Sequence, residues 1–160
     1  MRSLARFEAI VRSIRNVGSR DLSETQVGIH PFDERNIHPD ISAVSKKLFD
    51  DGYYSHATFE AFKYLDSVVK NLAGMDESGH KLMMSAFNEA APKIKLTDLV
   101  TTSDKDEQMG FRFMLAGAMS GIRNPRGHEI LTDPIDRSLD HLSLASVLLR
   151  RIEERKEPKP

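Results

Sequence analysis

Cysteine is absent from the 160 residues, which excludes disulfides, thiolate nucleophiles and cysteine zinc sites. Long apolar runs are absent too; none approaches the ~20 residues that a membrane-crossing helix needs. The opening residues Met1-Arg2-Ser3-Leu4-Ala5-Arg6 hold no apolar signal core and run on into Glu8 and Arg12, so a cytoplasmic protein with no membrane partner is expected. Net charge is nearly absent as well, at −1, which argues against a general nucleic-acid coat protein. The chain shows no internal repeat, Gly-rich phosphate loop or low-complexity tract. At this length one domain buries a core of its own without a metal or disulfide.

What charge there is has an uneven distribution. From Gln108 to His128 there is no carboxylate, while Arg112, Arg123 and Arg126 all fall inside that span. A local cationic spot on an acidic body suits focused phosphate recognition. Burial of the span would also keep carboxylates out of it, and composition alone does not separate the two readings.

Taken in order, the chain reads as an all-α fold of four to five main helices after a long N-terminal connection. Leu4, Phe7, Ile10, Val11 and Ile14 fall at helical spacing. Residues 1–37 form this N-terminal helix and a Gly- and Pro-interrupted connection, residues 38–152 the helical domain, and residues 153–160 a charged tail that should fray. His30, Asp33, His38 and Asp40 lie in or beside the connection, but their spacing fits neither helical i,i+4 nor hairpin metal ligation; no metal and no cofactor is expected, and Asp40 is read as a helix cap. Ile41, Val44, Leu48 and Phe49 form one stripe. A second helix, roughly Tyr54 to Leu72, is stopped by Gly74, with His56 and Lys63 projecting from it. A third carries Leu82, Met83, Ala86, Phe87 and Ala90, and after it Leu96, Leu99 and Val100 should tuck against the body. Ser103-Asp104-Lys105-Asp106 resembles a capping box opening a helix whose stripe is Phe111, Leu115, Ala118, Met119 and Ile122. Gly117 and Gly121, four apart, would let another helix approach closely. The last helix should open on an Asp133 cap with Pro134 in its first turn.

The stretch Gly121-Ile122-Arg123-Asn124-Pro125-Arg126-Gly127-His128-Glu129 concentrates the polar chemistry. Asn124 precedes a proline and is pushed away from the α region, so the helix should end there. On an unbroken helix, five steps of ~100° would aim Arg123 and His128 ~140° apart. A turn through Pro125 and Gly127, with Gly127 free in φ, would bring them to one side.

Arg123-Asn124-x-x-x-His128 resembles the R-polar-x3-H motif of the HEPN superfamily of small helical ribonucleases and toxin-type proteins. The wider context is similar to the uncharacterised Ymh-type branch of that superfamily. It is carried by Gly110-Phe111, Ala116-Gly117-Ala118, Ile122-Arg123-Asn124-Pro125, His128-Glu129, His38-Pro39-x-Ile41, Ala57-x-Phe59-Glu60-Ala61-x-Lys63 and Leu148-Leu149-Arg150-Arg151, over residues 38–152. The resemblance implies a HEPN-like helical bundle, a homodimer with the motif at its interface, RNA as substrate, and a toxin or anti-phage defence setting with an antitoxin or regulatory partner.

The residue types suit a metal-independent endoribonuclease. The ribose 2′-hydroxyl must lose a proton as it attacks phosphorus, and the departing 5′-oxygen must gain one, leaving a 2′,3′-cyclic phosphate. Histidine, with an unperturbed pKa nearest neutrality, suits either transfer; arginine presents a permanently charged planar fork to phosphate oxygens. Arg123, Asn124 and His128 are the candidate catalytic residues, and Arg126 a candidate substrate-binding one. A single motif histidine per chain is short of an acid and a base, which a symmetric dimer supplies. The alternatives are a catalytically silent RNA- or nucleotide-binding module and a structural dimerisation domain, in which Arg123 caps the carbonyls of its own helix and His128 is a satisfied turn residue.

Overall fold

The computed structural model describes residues 28–155; the expected N-terminal helix over residues 4–15 and the tail beyond Arg155 lie outside them. The described chain is all-α, with no strand among the described residues. Short α1 (Pro31–Glu34) precedes α2 (Pro39–Asp50), α3 (Tyr54–Ala73), α4 (Gly79–Ala86), α5 (Thr102–Ala118), a π-helical turn (Met119–Arg123), α6 (Asn124–His128) and α7 (Ile135–Glu153).

The period-3.6 pattern decides most of this. Helix α3 buries Ala57, Ala61, Phe62, Leu65 and Val69 along one face and packs against α2, α4, α7 and the motif region. It is the central helix because its apolar face is wide enough to meet neighbours on several sides. Gly74 ends it at φ +61°, ψ +38°, the left-handed conformation in which a Cβ is costly. Leu139, Leu142, Ala145, Leu148, Leu149 and Ile152 of α7 add their buried face to the same core, packed against α3 and α2.

Cap chemistry departs from expectation in three places. Helix α2 is capped by His38, whose Nδ1 accepts from the Asp40 N–H at 3.1 Å; Asp40 instead accepts from the Tyr64 hydroxyl at 2.9 Å. The capping box at α5 uses Thr101 and Asp104, two residues earlier than Ser103 would place it. Helix α7 begins after Pro134, and Asp133 makes no cap bond because Arg126 takes its carboxylate.

The connection from Phe87 to Thr101 is organised by one polar side chain. Gln108, fully buried on α5, donates from Nε2 to the carbonyls of Phe87 and Ile94 at 3.1 and 2.9 Å and accepts from the Leu96 N–H at 2.8 Å. Three backbone groups that a buried loop would otherwise leave unpaired are thereby satisfied. Leu96 is buried as expected, while Val100 is exposed.

Candidate functional site

The motif does not sit on a turn. Ala118, Met119, Arg123 and Asn124 all hold right-handed helical dihedrals, and the chain turns extended only at Glu129, φ −124°, ψ 151°. Helix therefore runs through Pro125, contrary to the break expected at Asn124. The π-helical turn accounts for this: Asn124 N–H reaches back five residues to the Met119 carbonyl, a wider turn that shifts the hydrogen-bond register just before a residue with no N–H to place. Gly127 is not used for a positive φ either. A Cβ there would stand 3.0 Å from Phe59 Cε2, so its role is to let α6 close on the Phe59 ring of α3.

Within one chain, Arg123 and His128 are thus not folded back together. Arg123 is half-buried and faces inward, its guanidinium carbon 5.7 Å from the centroid of the Phe59 ring, with Nη1 donating to Asn124 Oδ1 at 3.1 Å. Gly79, at φ +63°, passes close to the same Nη1: a Cβ there would be 4.0 Å from it. Its Nε is buried without a hydrogen-bond partner. Arg123 does not cap helix-end carbonyls; its hydrogen bond goes to the Asn124 amide. His128 is exposed, and among the described residues it has no hydrogen-bond or ion-pair partner.

Arg126, expected at the substrate, is turned inward. Its Nε and Nη2 grip Asp133 at 2.7 and 2.8 Å, Nη1 donates to the Ile122 carbonyl at 2.7 Å, and Nη2 lies 3.3 Å from His141 Nδ1. With every nitrogen occupied and only 5% of the side chain exposed, Arg126 ties the helical segment 124–128 to Asp133 and to His141 of α7 and has no donor left over. Burial pushes the Asp133 carboxyl up, but the hydrogen bonds and charge of Arg126 outweigh it and hold the group below the usual carboxylate range. Burial, then the Arg126 charge, push His141 below the ordinary imidazole value. Neutral His141 can accept through Nδ1.

Ligand atoms of His38, Asp40 and Glu153 lie within 4.8 Å of one another. The α2 cap decides their chemistry: with Nδ1 accepting from Asp40 N–H, the ring proton sits on Nε2 and is donated to Glu153 at 3.0 Å, which leaves no lone pair there for a cation. His30 repeats the arrangement, accepting from Phe32 N–H and contacting Asp50 at 2.8 Å.

Two features of the site escape reading by periodicity. Phe59 reads as part of the core face of α3, yet it is half-buried and carries Arg123 on one side and Lys63 Nζ at 5.9 Å. The second is the outer face of the motif helix, where Met109, Gly110, Phe113, Met114, Gly117, Ser120 and Gly121 are all exposed and uncharged. Among these, Gly110, Gly117 and Gly121 have no atom within 4 Å of an added Cβ. His128 is exposed at the end of the same continuous helical stretch, seven residues beyond Gly121.

No helix among the described residues is long and apolar enough to cross a membrane. Comparison with curated proteins and with solved structures gives no match. A family model does match, over residues 35–152, most of the chain and all of the site, and the chain belongs to that family: Protein of unknown function (Hypoth_ymh).

Proposed function

We propose that this protein is a HEPN-type, metal-independent endoribonuclease whose site forms between two copies of the chain. The observation that carries the reading is the state of Arg123: a half-buried cation with no carboxylate partner and a buried, unpartnered Nε–H. Arg35, Arg112, Arg126, Arg137 and Arg151 pair with carboxylates; Arg150 bonds the Asn36 carbonyl instead, and Arg112, though paired, also leaves its Nε unmet. A buried donor left unmade costs about 1–3 kcal/mol, more when charged, and the guanidinium as a whole keeps an uncompensated charge for a phosphate to neutralise. Asn124 holds the guanidinium in place and presents its own amide to the same oxygens.

His128 is the proton-transfer group. Standing free at the end of the exposed apolar face, it meets the same residue of a second copy when those faces pack, so one imidazole takes the 2′-hydroxyl proton while the other protonates the departing 5′-oxygen. The phosphorus–O5′ bond breaks as the 2′-oxygen bond forms, giving a 2′,3′-cyclic phosphate and a 5′-hydroxyl. DNA, lacking the 2′-hydroxyl, is resistant. The resemblance to HEPN proteins supports a toxin or anti-phage defence role, cytoplasmic, with an antitoxin or regulator that restrains cleavage.

One observation favours a second reading, a catalytically silent module that binds RNA or a nucleotide through Arg123: in a single chain the helix sends Arg123 inward and His128 to solvent. Cleavage of a mixed RNA pool in EDTA, by wild type, His128→Ala and Arg123→Ala, separates the two. Loss of cleavage in both variants with folding retained supports the nuclease; an inert wild type that still binds RNA leaves the binding module; cleavage that survives both substitutions removes the motif from the chemistry.

A further inference from the structure

Phe59 is shared by two cations from different parts of the chain. Arg123 comes from the motif helix, with Cζ 5.7 Å from the ring centroid, and Lys63 from the next turn of α3, with Nζ 5.9 Å from the same point. Their charges can be no further apart than those two distances together, and they differ in how they are held. Arg123 is half-buried and, among the described residues, has no carboxylate partner. Lys63 is exposed and lies between both oxygens of Glu60, at 3.1 and 3.2 Å. An exposed Lys–Glu pair three residues apart is weak and readily exchanged, so a phosphate arriving beside Arg123 competes with Glu60 for the ammonium.

We propose that Lys63 is the second phosphate-binding group of this site: it takes the phosphate next to the one held by Arg123 on a single RNA strand, with the Phe59 ring as the surface between them. This rests on the RNA reading above. Lys63 contributes a point charge with no base preference, so it adds affinity across sequences, and Glu60 acts as the displaceable counter-ion that keeps the empty site from holding adventitious anions.

The test is binding of a labelled 2′-O-methyl RNA oligonucleotide, which cannot attack its own phosphate, to the full chain across a salt series. Lys63→Gln should weaken binding equally for uridine-rich and adenosine-rich strands. It should also make the slope of log K against log salt shallower by about 0.7, the share of one contact on a single strand. Lys63→Arg should restore the slope, and Glu60→Gln should tighten binding. If Arg123→Gln weakens binding while Lys63→Gln and Glu60→Gln leave both affinity and slope unchanged, Lys63 merely braces its helix and the proposal is overturned with the RNA reading intact. If the wild-type protein binds no oligonucleotide at any salt, the RNA reading and the Lys63 assignment fall together.

Discussion

Arg126 and Asp133 hold each other through two parallel hydrogen bonds, with side chains only 5% and 2% exposed. The same guanidinium bonds the Ile122 carbonyl beside the π-helical turn and reaches His141 on α7. The helix segment carrying Asn124 and His128 is therefore pinned from inside the protein, and the placement of these candidate residues depends on an arginine that is itself turned inward.

Removing one partner of such a pair strands a buried charge. Arg126→Met should destabilise the fold by about 3–5 kcal/mol. Adding Asp133→Leu should recover part of that loss, because the orphaned carboxylate goes too. Urea denaturation of the two single variants and the double variant measures the coupling; additive losses would mean that the pair contributes no specific interaction.

The pair and its histidine also set two pH windows. His141 is held below its ordinary value, so the unfolded chain takes up its proton first. Stability is full above the unfolded value, about 6.5, and falls as pH drops from there toward the folded value. Asp133 is likewise depressed; its contribution is present above about 3.9 and is lost as pH falls through the lower folded value. Denaturation midpoints measured from pH 8 to 5 should decline in wild type and stay flatter in His141→Asn, whose amide oxygen can still accept from Arg126. An unchanged pH profile in that variant would assign the upper window elsewhere.

Two glycines of the motif helix should respond in opposite senses to alanine. At Gly127 the added Cβ meets Phe59 Cε2 at 3.0 Å. Overpacking of about 1–3 kcal/mol outweighs a gain in helix propensity of about 1 kcal/mol, and displacing Phe59 should lower RNA binding through Arg123. Gly117→Ala meets nothing within 4 Å, so it should stabilise the isolated chain by up to about 1 kcal/mol while weakening a dimer formed through that face. Thermal melts at low concentration and sedimentation at high concentration read the two effects. Phe113→Glu, at a 54% exposed position on the same face, should give monomers without unfolding; a dimer that survives it places the interface elsewhere.

Gln108 is the polar residue whose loss should be most damaging. Gln108→Leu leaves two carbonyls and one N–H buried without partners, at about 1–3 kcal/mol for each unmet group, and hydrogen exchange should accelerate first at Leu96. Retained protection there would show that the connection is held by its apolar contacts alone.

The helices, their order and most core faces were legible in the sequence because burial against a single core imposes a 3.6-residue period, and local caps and stops such as Gly74 act within a few residues. The candidate motif was legible as a set of residue types, and its family-like surroundings mark the same segment. Its geometry was not. Asn124-Pro125 reads locally as a helix end, yet the packing of Phe59 against Gly127 and the clamp of Arg126 on Asp133 and His141 hold that segment helical. Whether Arg126 or Arg123 lacks a carboxylate depends on which acid the fold brings within reach, from seven residues along the chain in one case and none in the other. The sequence by itself determined an all-α chain with one arginine–amide–histidine cluster. Only the tertiary structure decided which arginine is spent on the fold and which is left unpaired, because ion pairing depends on distance in space and on burial, and neither is encoded by spacing along the chain.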